Sequence, residues 1–189
     1  MSRRFARIRM GTPPFPRGYS GPPSDGMCLN VFLVLRAPDD PGRVLLGRVA
    51  PSPRWEEVGA LDPARIASAS GRWMIPASQL LLLEGPQEAA RRVGKELLGM
   101  EVRSLPSPQV FSETSSRPGS TASDPHWDLH FIFVLAGPAA APRSDLWQHL
   151  DYVRVSATPP ADFARNHGDV LELIGLPPAG RTAPVTPGS

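Results

Sequence analysis

The apolar positions of this chain gather into short runs separated by polar, proline-rich stretches. Cys28–Arg36, CLNVFLVLR, is apolar at nearly every position and rich in β-formers, the pattern of a short buried strand. The turn Ala37–Gly42, APDDPG, leads into Arg43–Val49, RVLLGRV, so the two runs predict a hairpin. Residues 51–71 are mixed and irregular, and Pro63 just after Asp62 predicts one short helical turn. Gln79–Leu83, QLLLL, reads as a short strand or a buried loop edge. Its four leucines are expected in the core, with a homodimer contact as the alternative. The clearest helix spans Pro86–Leu98, with proline in its first turn and Gly99 at its end.

Beyond that helix, residues 101–111 predict an extended segment, limited by two prolines. Residues 112–125, SETSSRPGSTASDP, form a long polar loop. His126–Gly137, HWDLHFIFVLAG, is the second strong strand, and Asp151–Val155 a weaker third. Asp162–Gly175, DFARNHGDVLELIG, predicts a closing helix that stops at Gly175 before Pro177. Strands before, between and after two helices imply a mixed-sheet α+β or α/β sandwich. The expected organisation is a flexible basic and Pro/Gly-rich arm over 1–26, one domain over 27–176, and a disordered Pro-rich tail over 177–189.

Composition changes this picture little. The chain has 189 residues, 41% of them apolar and 20% charged, which suits one domain with a substantial core. No apolar run has the roughly 20 residues that a spanning helix needs. The basic start is followed by no apolar stretch, so a secretory signal is not expected. Cys28 is the single cysteine, which excludes an internal disulfide and suits a reducing, cytoplasmic setting. The formal net charge is only +2, and of the 20 basic residues all but Lys95 are arginine. Arg3, Arg4, Arg7 and Arg9 cluster, but a solvated terminal arm explains them, and nucleic acid is not an expected partner.

The stretch Trp73–Val102, WMIPASQLLLLEGPQEAARRVGKELLGMEV, carries the most chemical information. Ser78 is followed six positions on by Glu84. Arg92, Glu96 and Gly99 come after it on the helix, framed by Trp73, Pro76, Pro86, Ala89 and Ala90. This pattern resembles the box of the Nudix hydrolases, in which Ser78 stands at the opening glycine and Glu84 at the first glutamate. Arg92 matches the arginine, Glu96 the first member of a Glu-Glu pair, and Gly99 the closing glycine. Phe163–Gly175 is similar to the terminal helix of many members, so the resemblance covers residues 27–176. It implies a Nudix-type α/β/α sandwich with a mixed central sheet. It also implies divalent-metal-dependent hydrolysis of nucleoside diphosphates linked to another moiety, with Mg or Mn as cofactor.

Carried residue by residue, the resemblance makes Glu96 and Arg92 the catalytic candidates and Glu96 and Glu84 the metal ligands. A further ligand or base would come from Glu113, Asp124 or Asp128. Two departures stand against this. Val93 replaces the glutamate after the arginine, and Leu97 the second of the Glu-Glu pair. Magnesium wants octahedral oxygen ligands, and cleaving a pyrophosphate bond needs the ion to polarise the phosphoryl oxygens and activate water.

Helix geometry offers a simpler account of the matched residues. Ala89, Val93 and Leu97 form one apolar stripe, while Glu88, Arg92 and Glu96 form a second stripe able to make two ion pairs. That stripe explains Arg92 and Glu96 without a metal, and a single-metal or phosphate site is the other reading. His126, Asp128 and His130 alternate and so share one strand face. A transition-metal site, ligand contact, and a plain solvated or cleft-facing strand all fit them. His167 is expected to be structural, His149 to lie at the surface, and Cys28 to act as a small hydrophobe. Gly94 costs about 1 kcal/mol relative to alanine in mid-helix, so something is expected to pack closely there.

Three functions remain open: a weak or specialised hydrolase, a non-catalytic sensor of a nucleotide or other phosphorylated small molecule, and a homo-oligomeric interaction module. Two ligand positions turned to hydrocarbon favour loss of ordinary activity.

Overall fold

The run that opens the domain becomes the central strand of a mixed sheet, with apolar side chains leaving it on both faces. The computed structural model describes residues 7–8, 27–59, 61–114 and 127–182. Its strands are β1 (Arg7–Ile8), β2 (Met27–Arg36), β3 (Arg43–Val49), β4 (Trp73–Met74), β5 (Ala77–Gln79), β6 (Gln109–Thr114), β7 (Trp127–Ala136) and β8 (Trp147–Arg154). Its helices are α1 (Arg54–Val58), α2 (Pro63–Ala69), α3 (Pro86–Leu98) and α4 (His167–Leu173).

The sheet runs β4-β3-β2-β7-β6, with β1 and β5 paired to β2 and β8 paired to β3. β2 and β7 are parallel from Met27↔Trp127 to Arg36↔Ala136, and β6 adds antiparallel to β7. The expected hairpin of β2 and β3 closes only at Arg36↔Val44. Below that pair the strands splay, and the segment holding β4 and β5 fills the gap, β4 on β3 and β5 on β2. This wedge places the chain just before α3 against the middle of the sheet.

Alternation along β2 divides the interior in two. Val31, Leu33 and Leu35 join Ala89, Val93 and Leu97 of α3 in one core, and Phe32 and Val34 join Val170 and Leu171 of α4 in the other. The architecture is therefore a sandwich with one helix layer on each face of the sheet. Each fully buried Val, Leu, Ile or Phe contributes roughly 1.5–3 kcal/mol.

α3 has the bounds expected. Pro86 opens it, Glu88 reaches back to accept the Gly85 N–H at 2.8 Å, and Gly99 closes it in the left-handed region at φ 64. Gly94 faces Val102, whose Cγ2 would lie 2.5 Å from a Cβ at that position. The close packing expected around this glycine is there.

Three expectations fail. Residues 51–71 hold two helices rather than one turn: Trp55 and Val58 bury one face of α1, and the Asp62 side chain caps α2 through the Arg65 N–H. The closing helix is shorter than Asp162–Gly175. Phe163 is drawn into a bridge with Trp73, Arg165 adopts φ 52, and α4 begins only at His167. The four leucines before α3 do not share the core. Leu80 is buried, but Leu82 is 61% and Leu83 97% exposed, because Leu81–Glu84 folds into a tight turn that projects them outward.

Candidate functional site

The start of α3 and the turn before it are held together by one side chain. Arg92 donates from Nε and Nη2 to the two carboxylate oxygens of Glu84 at 2.7 and 2.8 Å. Nη2 also donates to the Gln79 carbonyl at 2.8 Å and Nη1 to Ser78 Oγ at 3.3 Å. Ser78 donates onward to the Val58 carbonyl at 2.8 Å. Glu84 accepts the Leu81 N–H at 2.8 Å, and the Glu84 N–H returns to the Leu81 carbonyl at 3.1 Å. That pair of bonds closes the turn and places Leu83 at φ 68, a conformation costing a non-glycine residue roughly 1–2 kcal/mol.

Glu96 lies at the rim of this network, its Oε2 3.9 Å from Arg92 Nη1. Arg92, Glu84 and Glu96 have side-chain exposures of 11%, 12% and 21%, so the charges are mostly screened from water by protein. The second ion pair expected on this stripe does not form, because Glu88 is used at the helix start. Local capping took precedence over the i,i+4 partner.

The other two box positions point inward. Val93 is 1% exposed and Leu97 fully buried. The core around Leu97 includes Trp55 and Trp147, whose rings meet edge to face at 4.8 Å between centroids. Trp147 Nε1 donates to the Leu97 carbonyl at 2.8 Å, and Trp55 Nε1 to the Ala50 carbonyl at 3.1 Å. Gly47 makes room for the first ring, since a Cβ there would lie 2.1 Å from Trp147 Cε3. Hydrocarbon and indole thus fill the space beneath the C-terminal half of α3.

These residues do not fit a divalent ion of the kind the box implies. Magnesium takes near-octahedral oxygen coordination. Here the nearby carboxylates are Glu84, with both oxygens bonded to a guanidinium, and Glu96, on the edge of the same cation. Among the described residues no three His, Cys, Asp or Glu side chains form a group able to hold a metal.

The opposite face of the sheet carries a second polar group. Asn30 donates from Nδ2 to Asp128 Oδ1 at 2.8 Å and lies 3.4 Å from His130 Nδ1. Asp128 and His130 are buried and share one face of β7, as their alternation predicted. His126 and Asp124 lie outside the described residues. The Glu113 backbone pairs with Asp128 across β6 and β7. Phe32 stands edge-on between the rings of His130 and His167, at 5.2 and 5.5 Å.

His167 is structural, as expected: its Nδ1 accepts the Ile75 N–H at 3.1 Å. Burial, with the nearby Arg165 and His130 charges, pushes its pKa down to about 3. The ring is neutral, and the Ile75 bond puts its proton on Nε2. Desolvation and then Arg65 lower the pKa of Arg165, opposed by Asp128, Asp62 and Cys28. These charges belong to α2, β7 and β2. His149 is at the surface, beside Asp151.

Sequence reasoning missed Asn30 and Arg165. Asn30 had a visible signal, a lone amide inside an apolar strand. Arg165 had none, because the charged groups that act on it come from three separate parts of the chain, α2, β2 and β7.

The element order, splayed strands and flanking helices define an α/β/α sandwich with a mixed sheet. No family model matches the sequence, and no curated protein matches it. Solved structures do. A MutT Nudix hydrolase from Burkholderia pseudomallei aligns over 77% of this chain and 96% of its own, at 15% identity and a TM-score of 0.53. The Nudix domain of Shewanella oneidensis NrtR, solved with ADP-ribose, aligns over 84% of this chain and 89% of its own, at 15% identity and a TM-score of 0.49. The chain has the Nudix fold. At such identities the likeness carries the fold and not the chemistry. No helix among the described residues is long and apolar enough to cross a membrane.

Proposed function

We propose that this chain is a divergent Nudix-fold protein, related to hydrolases of nucleoside diphosphates linked to another moiety, with a degraded metal site and weak or absent hydrolase activity. One observation carries the reading: Val93 and Leu97, which stand where the box has carboxylates, are packed into the core. Activity of the ordinary kind needs an ion held by oxygen ligands, and these two positions supply none. Glu96 is the one box carboxylate left at the rim, with Arg92 beside it.

The buried polar group of Asn30, Asp128 and His130 favours a second role as a sensor of a nucleotide or other phosphorylated small molecule. Buried polar side chains are costly to retain on an otherwise apolar face, and a ligand that uses them accounts for their retention. The exposed Leu82–Leu83 turn favours a homodimer as the interaction-module alternative. The cytoplasm is the compartment this reading assigns.

The test is hydrolysis by the full chain with magnesium or manganese and a panel of nucleoside diphosphate-linked compounds. No release of phosphate or nucleotide is expected. Turnover that Glu96→Gln abolishes would overturn the reading. Thermal shifts with the same panel then test the sensor, since a ligand that binds only the native state raises its stability. A shift lost in Asp128→Asn supports it, and no shift with any compound counts against it.

A further inference from the structure

We propose that residues 176–181 form a clasp on α4, and that α4 and its clasp open together to admit a ligand to the group of Asn30, Asp128 and His130. The proposal rests on the sensor reading above and supplies the route of entry which that reading needs. His130 is fully buried and Asp128 is 8% exposed, so a ligand reaches them only when something covering them moves. From His130 toward the helix layer, the ring of Phe32 comes first, at 5.2 Å between centroids, and that of His167 next, 5.5 Å further on. His167 is the first residue of α4, so this helix is the outer cover on that side.

α4 is also the cover least able to hold itself in place. It has seven residues, too few to be stable alone, and Arg165 just before it stands at φ 52. By contrast, α3 has 13 residues with Gly85 and Gly99 at its ends, and β2 pairs with β7 along its whole length. What holds α4 is the chain that follows it. Gly175, at φ 79, turns the backbone back, and Pro178 returns to lie buried over Gly168. The Ala179 N–H then donates to the Thr158 carbonyl at 2.9 Å. Arg181 completes the clasp, donating from Nη1 to Asp169 Oδ1 at 2.5 Å and to Glu172 Oε2 at 2.9 Å. Asp169 and Glu172 stand three apart on the helix and repel each other, so the guanidinium both attracts them and offsets that repulsion. These pairs are partly exposed, which leaves the clasp strong enough to close and weak enough to release.

Two measurements on the full chain test this. Amide hydrogen exchange in low urea reads the opening, and modification by diethylpyrocarbonate, located by mass spectrometry, reads access to each histidine. The N–H groups of Ile75, Val170 and Ala179 are bonded to His167, Asn166 and Thr158. They are expected to exchange through one common opening, before the N–H of Leu33 in β2. Arg181→Ala is expected to speed their exchange about three- to tenfold, the scale of two partly exposed ion pairs. His130 and His167 are expected to be modified faster by the same factor, and the exposed His149 at an unchanged rate. Arg181→Lys, which keeps the charge, is expected to fall between the two chains. Exchange of the three amides only with global unfolding overturns the proposal, as does a separate opening for each. A His130 rate that stays fixed while α4 loosens overturns it too. Exchange in the natural chain decides even where a variant fails to fold. Ligand binding is scored apart: gated access to His130 with no thermal shift for any nucleoside diphosphate-linked compound contradicts the sensor reading alone, and a shift without gating contradicts this proposal alone.

Discussion

His167 should make the protein lose stability under mild acid, and the size of the effect follows from its burial. Its Nδ1 accepts the Ile75 N–H, joining α4 to the segment between β4 and β5, and burial pushes its pKa from 6.5 down to about 3. The unfolded chain takes up a proton near its ordinary pKa and the folded chain does not, so unfolding binds protons between these values. Stability is complete above the unfolded pKa, falls as pH drops from about 6.5 toward about 3, and levels off below that. At about 1.4 kcal/mol per pH unit, the loss between pH 7 and pH 5 comes to roughly 2 kcal/mol, before most carboxylates titrate.

Urea unfolding of the full chain at several pH values measures this directly. His167→Asn keeps a side-chain acceptor for Ile75 but removes the titration. It should be less stable at neutral pH, by about 1–3 kcal/mol for the lost ring packing, and nearly flat between pH 7 and 5. Equal pH dependence in the two proteins would refute the assignment of the acid effect to His167.

Two other substitutions probe the box region. Leu97→Glu restores the family's carboxylate into a fully buried site beside Trp147. It should cost about 3 kcal/mol or more in urea unfolding and bring no gain in metal response; a Mn²⁺-dependent recovery of stability would show that the space accepts an ion. Leu83→Gly relieves a non-glycine residue at φ 68 that is 97% exposed. It should raise stability by roughly 0.5–1 kcal/mol despite the greater freedom of glycine when unfolded, and a loss of stability would mean that Leu83 makes a contact in solution.

Much of this architecture was legible because its signals are local. Pro86 and Gly99 delimit α3 as proline and glycine do at helix ends, and the apolar runs of β2 and β7 announce buried strands. The Nudix fold followed from the order of these elements with the spacing of Ser78, Glu84, Arg92, Glu96 and Gly99. What escaped depended on contacts across the chain. Asp162–Asn166 has helical composition, but the bridge of Phe163 to Trp73 and the conformation of Arg165 override it. The leucines of 80–83 look alike in sequence, and only the bonds between Glu84 and Leu81 decide which of them turn outward.

The candidate site shows the same division. Spacing placed Arg92 and Glu96 on one stripe, yet the main partner of Arg92 is Glu84, eight residues earlier and outside the helix. A helical wheel cannot show a residue that returns on a turn. The inward direction of Val93 and Leu97, by contrast, was readable from their spacing with Ala89.

A Nudix fold that has lost the metal-dependent reaction, as proposed, differs from an active one first in its rate of hydrolysis. The full chain and Glu96→Gln are compared side by side, with saturating magnesium or manganese, over nucleoside diphosphate-linked substrates. Both proteins are expected to show the same background rate. Metal-dependent turnover by the natural chain that vanishes in Glu96→Gln would contradict it.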